Sequence, residues 1–215
     1  MRPGPDPIGD YALLSDSHGS ALVSRGGSID WACLPRFDRP SVFARILGRD
    51  AGHWRISPTG TTEVKRAYLD ETMVLQTLFR TPSGTAALID AMPFGPSERE
   101  HRIGRHSPHA IVRVVKGLEG EAELELEFRP RPEYGLTTPM LLAHPGGLRT
   151  PGWSPRLRVV LGDCAGGRGP SCSRVRWGLI ASSPAAARSV SGRWSSPASS
   201  SASCRRGLPP PDGEP

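Results

Sequence analysis

The chain has 215 residues, room for one large domain or two small ones, yet 37% are hydrophobic and only 6% aromatic, while glycine (25) and proline (23) are abundant. Charge is unevenly placed: residues 1–140 carry 17 basic against 18 acidic side chains, a net −1, whereas residues 141–215 carry 10 arginines, no lysine and three acids, a net +7. The basic balance therefore belongs to the last third alone and does not mark the front of the chain as a nucleic-acid or acidic-surface binder.

The opening run Met1 to Tyr11 offers no apolar stretch for a signal peptide, and no segment is long enough to span a membrane, so a cytoplasmic location without membrane association is expected. Residues 8–34 read as strands, with Ser20–Ser24 and Ser28–Leu34 flanking Arg25-Gly26-Gly27, a glycine pair suited to a tight turn. After Pro40, Ser41 is placed to cap a short helix through Leu47, because Val42, Phe43, Ile46 and Leu47 fall at helical spacing and Gly48 follows.

From residue 52 onward the pattern is all-β. His53–Ile56 and Glu63–Leu69 read as strands, and Thr72–Arg80 pairs with Thr85–Met92 across Pro82-Ser83-Gly84. His109–Lys116 and Glu121–Arg129 read as a second hairpin turning at Gly117-Leu-Glu-Gly120. In its second arm Ala122, Leu124, Leu126 and Phe128 alternate with Glu121, Glu123, Glu125 and Glu127, a strand with one face on a core and the other in water. No strand–helix–strand alternation occurs, so the expected fold class is all-β, an incomplete antiparallel β-sandwich over residues 1–140.

Past Leu141 the periodicity vanishes. Ser, Gly, Pro, Arg and Ala supply 52 of residues 141–215, too little apolar surface to offset an ordering cost of roughly 1–2 kcal/mol per residue. This segment is expected to be disordered, Leu157–Leu161 being the one stretch that reads as a brief strand. Arginine without lysine, among residues of GC-rich codons, suggests a frameshift near residues 141–150. Translation of the gene in its other two frames checks this: a frame that restores alternating strands is expected, and its absence in both sinks the idea.

Five stretches belong together. Ile8–Leu14 opens the chain, Ala21–Phe43 follows with Gly52–Ile56, and later come Leu88–Phe94 and Arg129–Gly135. The series resembles the N-terminal β-sandwich domain of bacterial family 15 glycoside hydrolases, trehalase-like members included, almost without gaps from about residue 8 to 138. The resemblance implies a sandwich followed by a linker and an (α/α)6 barrel that hydrolyses α-glucosidic bonds with inversion. Inversion uses two carboxyl groups roughly 6.5–9.5 Å apart, glutamates of the barrel in this family. No residue here matches either, so no catalytic residue is assigned, and the chain is expected to be a non-catalytic fragment that ends before the barrel. Its expected partners are an α-glucoside or a barrel supplied in trans.

Trp31, Arg36, Phe37 and Asp38 form the most distinctive cluster and are the candidates for contact with substrate or with another domain, since aromatic faces and planar polar groups suit both sugars and interfaces. The plainer reading, which is preferred, puts Trp31 and Phe37 in the core and pairs Arg36 with Asp38 in a turn. Asp16, Asp30, Asp38, Asp70 and Asp90 are further carboxylates whose expected role is hydrogen bonding rather than acid–base chemistry. The four alternating glutamates read as a solvated face, and His101, His106 and His109 as part of a mobile surface loop. Cys33, Cys164, Cys172 and Cys204 match no zinc spacing and no disulfide framework, and there is no GxxxxGK[ST] phosphate loop, so no metal or cofactor is expected. The arginines of the last third lack a basic helix or aromatic platform, which argues against specific nucleic-acid binding.

Overall fold

The structure, a computed structural model, describes residues 6–60, 62–95 and 100–142, and beyond these only the main chain of short strands. A single turn of 3-10 helix at Ile8–Asp10 leads into β1 (Ala12–Ser15), β2 (Ser20–Val23), β3 (Ser28–Cys33), β4 (Ser41–Ala44), β5 (His53–Pro58), β6 (Glu63–Tyr68), β7 (Leu75–Thr81), β8 (Gly84–Ala91) and β9 (Val112–Arg129). The hydrogen-bonded order is β1-β2-β3-β5-β9-β8-β7-β6, antiparallel throughout, with β4 joined to β3. The all-β antiparallel class expected from the sequence is what forms, and its two layers are one sheet curled over itself.

The curl is closed by side chains. Arg66 on β6 donates to the carbonyls of Val23 and Asp10 at 3.1 and 2.8 Å. The Tyr68 hydroxyl accepts from the Leu13 N–H and donates to the Leu13 carbonyl, each at 2.8 Å, standing in for a neighbouring strand at the edge of β1. Between the layers lies one core, in which Leu14, Val23, Ile29, Phe43, Ile56, Leu75, Phe79, Leu88 and Phe128 are fully buried.

Two expectations are corrected. Ser41–Leu47 is not a helix: Val42, Phe43 and Ala44 are all buried as part of β4, and Phe43 sits opposite Ala32 of β3. β5 pairs only with Ser28 and Ile29 of β3, which leaves Trp31–Cys33 open for β4 to cover. The helical spacing is fortuitous, since Leu47 is 64% exposed.

Nor is there a hairpin at Gly117–Gly120. Residues 112–129 are one 18-residue strand whose first part pairs with β8 and whose second part pairs with β5. Gly120 serves the neighbouring turn instead. Gly120 has φ +58° and lies so close to the Ser83 carbonyl that any Cβ would overlap it, while the Glu121 N–H donates to that carbonyl at 2.9 Å. A bulge at Leu118 takes up the extra residue.

β10 (Leu142–His144), β11 (Gly147–Arg149) and β12 (Arg158–Val160) form a small antiparallel sheet, the last inside the stretch read as a brief strand. β13 (Leu179–Ile180) and β14 (Ser191–Ser195) pair with the free side of β9 at Glu121–Glu127. The expected disorder of 141–215 otherwise falls on residues outside those described. Among the described residues no helix is long and apolar enough to cross a membrane.

Where the layers meet, Arg113 of β9 is 1% exposed and Asp90 of β8 is 0% exposed. Arg113 Nε donates to Asp90 Oδ1 at 2.8 Å and Nη2 to Oδ2 at 3.1 Å, a bidentate pair. The guanidinium also donates to the Trp54 carbonyl at 2.5 Å and the Gly27 carbonyl at 2.7 Å, and its carbon lies 5.2 Å from the Trp54 ring centre. Asp90→Ala is expected to cost about 3–5 kcal/mol by stranding a buried cation, and the double replacement Arg113→Met, Asp90→Leu to cost less than either single change. Urea unfolding midpoints of the three variants check this.

Candidate functional site

Several loops gather at one rim of the curled sheet, and Asp16 organises them. Following β1, its buried carboxylate accepts through Oδ1 from the N–H groups of His18 (3.0 Å) and Gly19 (2.6 Å), the self-closing turn that Asp favours. Oδ2 lies 3.1 Å from Nδ1 of His109, and the Asp16 carbonyl accepts from the Ser107 hydroxyl at 3.1 Å. His18 and His109 meet edge to face with ring centres 5.3 Å apart. The segment read as a loose histidine loop is thus tied to the rim at Ser107 and His109, while His101 is exposed. Histidine spacing carries no trace of this tie, because its other half lies 93 residues away.

The loop after β3 lies alongside, the Phe37 N–H donating to the His18 carbonyl at 2.8 Å. Arg36 Nε and Asp38 Oδ1 pair at 3.1 Å with both side chains about half exposed, 52% and 53%, as the turn reading expected. That hydrogen bond holds the Asp38 carboxyl below the usual carboxylate range. Phe37 is 68% exposed, so its assignment to the core is corrected: the pairing turn around it points its ring outward.

Trp31 is half-buried, and its ring meets Tyr134, outside the predicted four, with centres 6.2 Å apart at an interplanar angle of 36°. Tyr134 and its neighbour Glu133 both hold left-handed backbone, φ 59° and 56°, an arrangement that costs energy for residues with a side chain. The register explains the Trp31 orientation. Val23 pairs with Ile29 and Leu22 with Trp31, so Asp30 is the extra residue of a bulge. Ile29 points into the core; past the bulge the alternation is reset, and Trp31 takes the outer face while Ala32 returns to the core.

The remaining aspartates divide by burial. Asp30 is held by the hydroxyls of Ser28 and Tyr11, the latter at 3.0 Å, with Arg45 at 3.9 Å. Burial and the Asp30 charge push the Tyr11 phenol well above its ordinary pKa. Asp90 belongs to Arg113, and Asp70 is exposed. Asp16, Asp30 and Asp90 are therefore each already engaged by donors of the domain itself, which fixes the segments around them. Among the described residues no group of three or more His, Cys, Asp or Glu side chains converges as metal ligands.

The glutamate face of β9 is half as expected. Glu121 and Glu123 are exposed, but Glu125 and Glu127 are partly buried in an ion-pair network on the outer face of β5 and β9. Arg55 reaches Glu125 and Glu127 at 2.8 Å each, His53 Nε2 lies 3.2 Å from Glu127, and Arg129 lies 3.4 Å from it. The His53 hydrogen bond, aided by Arg55, lowers the Glu127 pKa from 4.5 to about 2 against the opposing effect of burial.

The family described as "Trehalase-like, N-terminal" matches residues 3–160, and this chain belongs to it. It is 37% identical over 138 residues to a trehalase of Mycolicibacterium smegmatis, covering 60% of this chain and 21% of that protein. It is 38% identical over 138 residues to a trehalase of Mycobacterium tuberculosis, covering 60% and 20%. With Trehalase 2 of Sulfolobus acidocaldarius identity is 35% over 128 residues, covering 59% and 19%. The chain thus spans about a fifth of the length of these relatives. No solved structure matches it.

The Glu127 shift sets a pH dependence. Because the folded state lowers this pKa, the associated stability is fully present above the unfolded value of 4.5 and is lost as pH falls toward about 2. Glu127→Gln is expected to lose less stability than the parent between pH 5 and pH 2, measured by urea unfolding across that range.

Proposed function

We propose that this chain is the non-catalytic N-terminal domain of a family 15 glycoside hydrolase, whose intact parent carries a barrel that hydrolyses α-glucosidic bonds by inversion. Trehalose is the leading substrate of that barrel and maltooligosaccharides the next. The carrying observation is coverage: residues 3–160 match a family described as N-terminal, and the trehalases it resembles are about five times longer than the matched part. Residues 1–140 form the domain in this reading, and its donor-saturated Asp16, Asp30 and Asp90 serve the rim and the core. Trp31, Arg36, Phe37 and Asp38 supply contacts with the partner or its substrate.

A second reading makes it a free-standing module that binds carbohydrate or docks on a separate barrel, favoured by the exposure of Phe37 (68%) within the polar Arg36–Asp38 pair. The purified chain is expected to release no glucose from trehalose or maltose over a prolonged incubation, followed by a coupled glucose assay. Glucose release that scales with the amount of chain overturns the accessory reading. Saturable quenching of tryptophan fluorescence by maltooligosaccharides, lost in Phe37→Ala, decides for the second.

A further inference from the structure

β9 has one edge that β1 to β8 leave open. The Thr59 N–H donates to the Glu123 carbonyl at 3.1 Å, continuing the β5–β9 ladder past Pro58 and Leu124. In an antiparallel pair, alternate residues turn their main-chain groups to alternate sides. Glu123, Glu125 and Glu127 therefore bond towards β5, while the N–H and C=O groups of Ala122 and Leu124 face away from it. β8 does not reach them, since its pairing with β9 ends at Gly84 opposite Gly120. Left bare, such a row pairs with whatever extended chain it meets.

The side chains along this edge restrict the occupant. Ala122 and Leu124 lie in the core, so an incoming strand needs apolar or small residues opposite them. On the other face Glu121 and Glu123 are exposed and have no basic partner among the described residues. Glu125 and Glu127 differ, being engaged by Arg55 and His53. A second copy of β9 fits badly. Any antiparallel register that keeps its apolar face on the core sets glutamate directly opposite glutamate, which is destabilising.

The last third of the chain holds the complement. It carries ten arginines against three acids, and its strand β14 lies antiparallel on this edge. The register sets Arg193 opposite Glu123, Gly192 opposite Leu124 and Trp194 opposite Ala122. Residues directly opposite share a face. A cation is thus matched to an anion on the outer face, while on the core face glycine is matched to leucine and tryptophan to alanine. We propose that the β9 edge at Glu121–Glu125 is a strand-accepting site for an extended segment with a small residue, a cation and a large aromatic in succession. Ser191–Ser195 fills it in cis and so bars it to other chains.

Amide hydrogen exchange of the full chain, resolved by NMR, reads the contact at Ala122 and Leu124. Both amides are expected to exchange at least tenfold faster in Gly192→Pro, which cannot donate to the ladder, and in Arg193→Glu, which sets like charges opposite. Combining Glu123→Arg with Arg193→Glu is expected to restore slow exchange, a recovery that general destabilisation does not give. The amides of β7 should keep their wild-type rates throughout, showing that the domain stays folded. Fast exchange at Ala122 and Leu124 in the wild-type chain overturns the proposal, as do rates unchanged by both single substitutions. A charge-swapped pair that stays fast overturns it too. Protection that is lost on dilution assigns the edge to a second copy and likewise overturns it.

Discussion

The domain depends on one buried cation. Arg113 stands where the second half of the curled sheet turns back on the first, and it donates four hydrogen bonds, two to Asp90 on β8, one to the carbonyl of Trp54 on β5 and one to the carbonyl of Gly27 in the β2–β3 turn. A bidentate carboxylate and two carbonyls fit a planar guanidinium and nothing else among the side chains, since an ammonium has no fork to span them. Gly27 is fixed from the other side: φ is +77°, and a Cβ would come within 2.5 Å of the Ile56 carbonyl. Turn, central strand and crossover are thereby locked to one point, and the apolar core closes around them.

Below that level the curl relies on an economy of side chains. A two-layer sheet normally needs further strands or a cover at its edges. Here the edge of β1 is satisfied at Leu13 by a single phenol, and Arg66 binds the main chain of β2 and of the segment before β1. Both groups come from β6, whose side chains are mostly exposed. An outer strand with little stake in the core thus holds the two ends of the sheet together.

Much of the fold was legible because period-two alternation survives wherever one face is buried. Ala122, Leu124, Leu126 and Phe128 are buried as their spacing requires, and the β7–β8 hairpin turns where Pro82-Ser83 directs it. What escaped were features in which a residue serves a neighbour distant in sequence. Gly117 and Gly120 look like a turn, but Gly120 makes room for the turn of another hairpin and Gly117 pairs within the long strand. Val42 and Phe43 look helical but cover a stretch of β3 that β5 leaves unpaired. At the candidate site the Arg36–Asp38 pair was readable because it is local, whereas the outward turn of Trp31 depends on a bulge, and its meeting with Tyr134 on a loop 103 residues on. The pairing of Asp16 with His109 was invisible for the same reason.

The treatment of carboxylates bears on how labour is divided in such proteins. Acid–base catalysis by inversion needs one carboxyl kept protonated and another kept ready to take a proton from water. Asp16, Asp30 and Asp90 are each buried and each already bound by hydrogen-bond donors of the domain itself. Glu127, the carboxylate whose pKa is lowered to about 2, is tied to His53 and Arg55 on an outer sheet face. Charge in this domain is spent on shape: it fixes a rim of loops and a bulge, and the bulge in turn faces an aromatic ring outward.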